Sequence, residues 1–165
     1  MYMNNKLILE MAKYYEAQPE RIQHYIKVFT YAKMIGEEEE LPAQKQHILE
    51  TAAIVHDIGI KASEEKYGDI LGKHQEELGA SIAEEMLTKL GYDNSVINRV
   101  SYLVAHHHTY DNIDDLDYQI LVEADFLVNI HENYNPYPSA VEAYKRIFKT
   151  DAGKRFYKIM YGISE

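Results

Sequence analysis

The sequence predicts an all-α fold, a compact single-domain helical bundle, on three observations. Apolar residues recur at helical spacing in each long segment, no segment alternates polar and apolar residues as a half-buried strand does, and Gly or Pro stands where helices should begin or end. The chain has 165 residues, which is the length of one domain. We expect a single domain over residues 1–165, with a core of about 20–132 that contains the chemically active side chains and a helical extension of about 133–165.

Apolar spacing locates each helix in turn. Helices are expected at about 3–16, 19–35, 43–57, 73–89, 95–107 and 118–132, and one or two short helices follow the Pro-containing break at 135–138. Pro19 suits the first turn of the second helix. Two polar stretches are predicted to be loops, namely the acidic run Glu37 to Glu40 and the segment from Ser63 to Gly72.

Charge and composition exclude several classes of protein. The 17 Lys and Arg against 27 Asp and Glu give a formal net charge of −10, whereas a protein that binds nucleic-acid duplexes needs a basic face. No apolar run approaches the roughly 18 residues of a membrane span, and the first residues lack the features of a secretory signal. The absence of cysteine excludes disulfides and thiolate chemistry. We expect a cytoplasmic protein with no membrane partner and no nucleic-acid duplex as a partner.

Polar side chains fall on helix faces that are otherwise apolar. Asp125 lies in the apolar run Ile120 to Val128, where an ionised carboxylate is costly unless a partner or a metal compensates its charge. His24 and His74 lie on the inward stripes of their helices. Taken singly, each residue also fits an ordinary core position with a hydrogen bond to a neighbour.

The dipeptide His56-Asp57 closes an apolar helix directly before Gly59. Adjacent helical residues point about 100° apart, so both side chains reach one cation only if the chain bends there. Gly59 permits such a bend because glycine tolerates backbone angles that other residues avoid.

The run His106-His107-His108 cannot act as one unit on a helix, because three consecutive residues fan over about 200°. The inward stripe of its helix continues to His107. We therefore expect His107 to be the inward ligand and His106 to assist it, while His108 caps or leaves the helix.

Together, these histidines and aspartates would leave a core full of uncompensated polar groups unless one or two cations bind there. Imidazole and carboxylate ligands suit Fe, Mn, Zn, Co or Mg, and the absence of thiolate argues against a closed structural zinc site. The predicted metal ligands are His24, His56, Asp57, His74, His106, His107 and Asp125.

The order of these residues is familiar. His24 precedes His56-Asp57 by 32 residues, and Asp125 follows Asp57 by 68 residues. This H…HD…D pattern resembles the HD-domain superfamily of metal-dependent phosphohydrolases over about residues 20–132. Two subgroups of that superfamily hold a second metal through two more histidines, and His74 and His107 (or His106) stand where those would fall. The resemblance therefore implies a dinuclear member.

The resemblance also implies metal-assisted hydrolysis of a phosphate ester or anhydride in a small molecule, a nucleotide or a related compound. Asp57, His74 and His107 are the residues expected to take part in catalysis, with Asp57 as a bridging ligand.

Three basic residues flank the motifs and are candidates for binding phosphate, although each also suits a solvated surface. They are Lys61, Lys73 and Arg21.

Several alternatives stay open at this point. Ile60 stands where the cyclic-dinucleotide branch of the superfamily has Lys, which disfavours cyclic di-GMP as the substrate. The second hypothesis is a non-catalytic HD fold that senses a nucleotide or a metal, and the third is a helical bundle whose histidines are polar core residues. The identity of the metal and the formation of a homodimer are not determined by the sequence.

Overall fold

The computed structural model describes residues 2–132 and 135–164, so residues 1, 133, 134 and 165 of the expected domain lie outside the described part. Within the described residues the chain forms nine helices and no strand, which confirms the all-α prediction. None of these helices is both long and apolar enough to cross a membrane. The helices are α1 (Tyr2–Tyr14), α2 (Pro19–Glu38), α3 (Ala43–Val55), α4 (Gly59–Tyr67), α5 (Gly72–Leu90), α6 (Asn94–Val104), α7 (Leu116–His131), α8 (Ala140–Ile147) and α9 (Asp151–Tyr161).

Helix α7 is the centre of the bundle. Its residues from Ile120 to Val128 are all buried, and α2, α3, α8 and α9 pack around it. A helix with apolar side chains on most of its sides has to be enclosed in this way. Each fully buried Leu, Ile or Val contributes about 1.5–3 kcal/mol relative to its exposed state. Helices α2, α3 and α7 thus form the base of the bundle, and they contain or lead directly into the residues of the H…HD…D pattern.

A second group of helices covers this base. Helix α5 packs against α4 and α6, and α6 packs against α3. This arrangement brings the end of α6, where the three consecutive histidines follow, to the same end of the bundle as the junction between α3 and α4.

The prediction of a loop from Ser63 to Gly72 is wrong for the first part of that segment, because residues Gly59–Tyr67 form helix α4. The charged residues of this segment lie on the exposed face of a short helix, while Ile60 and Ser63 face inward. The helix ends at Gly68, whose φ of 73° is in the left-handed region that favours glycine. The loop is confined to residues 68–71.

The predicted end of α2 is also corrected. The helix continues through Gly36 to Glu38, so the first two residues of the acidic run are helical. A Cβ at Gly36 would lie 2.9 Å from a Leu49 methyl group, and glycine is therefore needed where α3 crosses α2. The acidic run contacts the C-terminal extension: the Glu39 carboxylate accepts a hydrogen bond from the Ala152 backbone N–H at 2.7 Å.

Candidate metal centre

His24 is buried in the second turn of α2 and directs its Nε2 atom at the side chains of His56, Asp57 and Asp125. His24 Nε2 lies 3.2 Å from Asp57 Oδ2 and 3.2 Å from Asp125 Oδ1. It also lies 3.2 Å from His56 Nε2. One imidazole nitrogen of α2 therefore faces two carboxylates and a second imidazole.

The HD pair occupies a bend between two helices. Helix α3 ends at Val55 and α4 begins at Gly59, so His56 and Asp57 lie in a tight turn. Tyr15, directly after α1, donates a hydrogen bond from its hydroxyl to the Asp57 backbone carbonyl at 2.6 Å and thereby holds that turn. The bend allows both side chains to face one point, with His56 Nε2 3.4 Å from Asp57 Oδ2.

Asp125 is 2% exposed and lies on the central helix. Its Oδ1 atom is 3.2 Å from His24 Nε2 and 3.5 Å from His56 Nε2. Neither approach has the geometry of a hydrogen bond, and within the described residues Oδ1 is a buried oxygen with no hydrogen-bond partner. An orphaned carboxylate oxygen that faces two ring nitrogens fits a cation placed between them. The residues of the site therefore fit a metal ion.

The ligand atoms form two groups that share Asp57. In the first group, atoms of His24, His56 and Asp57 all lie within 4.8 Å of one another. In the second, atoms of Asp57, His107 and His108 do so as well. Asp57 Oδ2 faces the first group, and Asp57 Oδ1 lies 3.3 Å from His107 Nε2 in the second.

Helix α6 ends at Val104, three residues before its predicted end, and this changes the placement of the three consecutive histidines. His107 faces inward as expected. His106 does not join it: its ring stacks on Tyr102 at 4.2 Å, and its Nδ1–H donates to the Tyr102 carbonyl at 2.7 Å. His108 takes the inward place instead, which the helical spacing did not indicate.

His108 is positioned by α5. A Cβ at Gly72 would lie 3.0 Å from the His108 Cβ, so the small residue at the start of α5 leaves room for the imidazole. Gln75 donates its amide N–H to the Ile70 carbonyl at 2.6 Å, and this orients its Oε1 toward His108 Nε2 at 3.1 Å. His108 Nε2 is therefore the donor, and Nδ1 is the free ligand atom of its ring.

His74 lies outside both groups of ligand atoms in the described chain. Its Nδ1–H donates to Asp69 Oδ1 at 2.8 Å, and its ring stacks on Tyr67 at 3.9 Å. These two contacts lie at the loop between α4 and α5, so the structure does not bring His74 to the other predicted ligands.

The charges around the first group reinforce one another. Burial disfavours the charged form of His24, but its contacts with Asp125, Asp57 and Glu132 outweigh this and raise its pKa to about 12. Burial likewise opposes protonation of His56, and Asp57 and Asp125 raise its pKa to about 10. The two aspartates respond in the opposite sense: burial would raise their pKa values, but the neighbouring imidazoles lower them. The site thus favours bound positive charge.

His108 has the opposite tendency. Burial, followed by repulsion from His107, lowers its pKa to about 4. Its ring is therefore neutral near pH 7 and has a lone pair available for a metal.

A cavity of about 400 Å³ opens beside the ligand groups. Arg21 is the only Arg or Lys among the described residues that line it, and it donates to Glu64 Oε1 at 2.6 Å and to Gln18 Oε1 at 2.7 Å. The other two basic candidates lie elsewhere. Lys61 is directed at the Tyr14 ring, 5.2 Å from its centroid, and Lys73 is exposed on the first turn of α5.

Known proteins share this architecture and this sequence pattern. A family model described as HD domain matches residues 21–147. The crystal structure of a predicted HD superfamily hydrolase from an uncultured Thermotogales bacterium matches with a TM-score of 0.71 and 24% sequence identity, over 96% of this chain and 84% of that chain. At that identity the likeness shows the fold alone, and no curated protein matches the chain. The family match spans most of the sequence, and the chain belongs to the HD-domain family.

Proposed function

We propose that the protein is a metal-dependent phosphohydrolase that acts on a small phosphorylated molecule of the nucleotide class. Six imidazole and carboxylate side chains converge beside a cavity of about 400 Å³, and this observation supports the proposal most strongly. The family membership of the chain agrees with the proposal.

The residues divide between two positions for a divalent metal. His24, His56 and Asp125 would serve the first and His107 and His108 the second, with Asp57 shared between them. A pair of such ions supplies an activated water and neutralises the charge that develops on a phosphoryl group. The protein contributes the fixed orientation of the ligand atoms: His56 Nδ1–H donates to the Ala53 carbonyl at 2.8 Å and His107 Nδ1–H to the Val104 carbonyl at 2.8 Å. Both rings consequently present Nε2 to the centre.

The cavity suits a molecule that has one phosphate and a flat ring. Its volume lies at the lower end of the range for small-molecule sites. Tyr110 and Phe126 line it, with ring centroids 5.2 Å apart in an edge-to-face arrangement, and offer an apolar wall for a base. Asn129 lines the same wall and supplies an amide for the polar edge of such a ring.

Arg21 is the candidate anchor for phosphate. A guanidinium offers several N–H donors in a plane, so it can bond a phosphate oxygen while it keeps its contact with Glu64. A single basic side chain in the described wall, next to the carboxylates of Glu20 and Glu132, favours one phosphate group over an extended polyphosphate chain.

The test is phosphate release from a panel of nucleoside mono-, di- and triphosphates and dinucleoside polyphosphates. The protein is loaded in turn with Mn²⁺, Fe²⁺, Co²⁺, Zn²⁺ or Mg²⁺ and compared with a D57A variant and an H106A control. Release that depends on metal, is lost in D57A and persists in H106A supports the proposal. Metal binding without turnover of any of these compounds contradicts it and favours the sensor hypothesis.

A further inference from the structure

The three histidines that face the centre with Nε2 all have their Nδ1 atom engaged, but not by the same kind of acceptor. His56 and His107 donate to backbone carbonyls three residues earlier in the chain. His24 Nδ1–H donates to Glu132 Oε2, a carboxylate of another part of the fold, at 2.8 Å.

Helix geometry explains this difference. His56 and His107 lie just beyond the ends of α3 and α6, where the last carbonyls of a helix have no partner within the helix. His24 lies inside α2, where the carbonyls already accept hydrogen bonds from residues one turn later. An acceptor for His24 Nδ1 has to come from elsewhere, and Glu132 directly after α7 provides it.

Glu132 is itself held in place. Lys27, one turn after His24 on α2, donates to Glu132 Oε1 at 2.7 Å. Each oxygen of the carboxylate therefore has its own partner on α2, which fixes its orientation toward the His24 ring.

We infer that Glu132 is a positioning residue of the metal centre: it holds the His24 ring with Nδ1–H toward its own carboxylate, so that Nε2, on the side of Asp57 and Asp125, is the atom left for a bound cation. The inference rests on the proposed function, because it requires that the centre binds a metal. Without an acceptor at Nδ1, the proton can move to Nε2, where it blocks the ligand atom. Loss of such a partner typically weakens metal affinity by about 10- to 100-fold.

The direct test is the Zn²⁺ affinity of purified protein, measured by competition with a chelating dye at fixed pH. We expect E132A to bind Zn²⁺ about 10- to 100-fold more weakly than the wild type. E132Q keeps an acceptor of the same size without its charge, and we expect an intermediate affinity. The matched control is E20Q, which removes a charge from the wall of the same cavity at an exposed position. Its affinity should stay within about threefold of the wild type, because a solvated charge has little influence.

A second readout separates positioning from a merely structural role. In the Zn²⁺-loaded wild type, ¹⁵N NMR of the histidine rings should show His24 protonated at Nδ1 and metal-bound at Nε2. The E132A spectrum should lose the Nδ1 proton signal of His24 while those of His56 and His107 persist. Thermal unfolding in chelator identifies a variant that fails to fold, in which case E132Q provides the comparison.

The possible failures are distinguishable. If the wild type binds no Zn²⁺, the proposed function fails and the inference fails with it. If the wild type binds Zn²⁺, but E132A and E132Q bind it as tightly as E20Q does, only the inference about Glu132 is overturned.

Discussion

Asp57 Oδ1 lies 3.3 Å from His107 Nε2, and this contact joins the two groups of ligand atoms. The other oxygen of the same carboxylate faces His24 at 3.2 Å. A single side chain in the bend between α3 and α4 therefore faces both groups. With a metal ion bound in each group, its two oxygens would give each group one anionic ligand.

The second group of ligand atoms predicts that His108 and His106 differ in their effect on the number of metal ions bound per chain. We expect H108A to lower the metal content from about two ions per chain to about one, because His108 belongs to the group with Asp57 and His107. H106A should keep about two, because the His106 ring is stacked outside on Tyr102. Elemental analysis of the two variants measures this. Equal metal content in both would contradict the assignment of His108.

The charge state of the first group predicts that metal binding releases protons. The pKa values of His24 and His56 are raised to about 12 and about 10, and pH 7 lies below both. Each ring is therefore protonated in the metal-free protein. A metal takes the place of these protons, so its affinity should fall as the pH falls, by a slope that approaches about two protons per ion. Calorimetry of Zn²⁺ binding in two buffers of different ionisation enthalpy gives the number of protons. A binding enthalpy that is the same in both buffers would count against this charge assignment.

Arg21 is expected to act on substrate affinity. A hydrogen bond to a charged group contributes about 1.5–3 kcal/mol, so R21M should raise KM by about 10- to 100-fold. The kcat value should change little, because Arg21 has no contact with the ligand atoms in the described structure. K61M is the matched control, since Lys61 is directed at Tyr14 instead of the cavity. Steady-state kinetics on a nucleoside monophosphate tests this, and equal KM values for R21M and K61M would refute the anchoring role.

Glu123 gives a prediction about stability away from the centre. This fully buried carboxylate accepts hydrogen bonds from the Lys149 and Thr150 backbone N–H groups at 2.6 and 3.0 Å and thereby fastens α7 to the start of α9. Its removal leaves buried donors without an acceptor, and E123A should lower the free energy of unfolding by about 2–4 kcal/mol.

Urea unfolding of the chelated protein measures this loss. The control is E142A, which removes an exposed carboxylate paired with Arg146 on α8 and should change stability by less than about 0.5 kcal/mol. A similar small change in E123A would show that Glu123 does not stabilise the packing of α9.

Local sequence pattern predicts the inward placement of the polar residues on α2 and α7. His24 and Asp125 belong to apolar stripes of long helices, and burial of those stripes carries the polar side chains inward. The bend at His56-Asp57 is also present as expected, but Gly59 is required by packing and not by its backbone angles: its φ is outside the left-handed region, and an added Cβ would lie 2.2 Å from the Gln75 carbonyl oxygen of α5.

The remaining residues of the site depend on contacts between distant segments. The turn that contains His106 and His108 is held from α7, where the Tyr118 hydroxyl approaches the backbone carbonyls of His106 and Thr109. Helical spacing extrapolated past Val104 consequently selects His106, whereas the structure places His108 beside His107 and Asp57. Glu132 is equally inaccessible to pattern analysis, since its role comes from a contact with His24 across 108 positions of the chain.

The most direct test of the metal centre is the metal content of the purified wild-type protein beside that of an H56A/D57A double variant, with H106A as the matched control. We expect about two divalent ions per chain in the wild type and in H106A, and none in the double variant, because Asp57 belongs to both groups of candidate ligand atoms. Circular dichroism is used to check that the double variant is still helical. If the wild type contains no metal after incubation with Fe²⁺, Mn²⁺, Zn²⁺, Co²⁺ or Mg²⁺, or if the double variant retains the wild-type content, the centre is not the metal site described here.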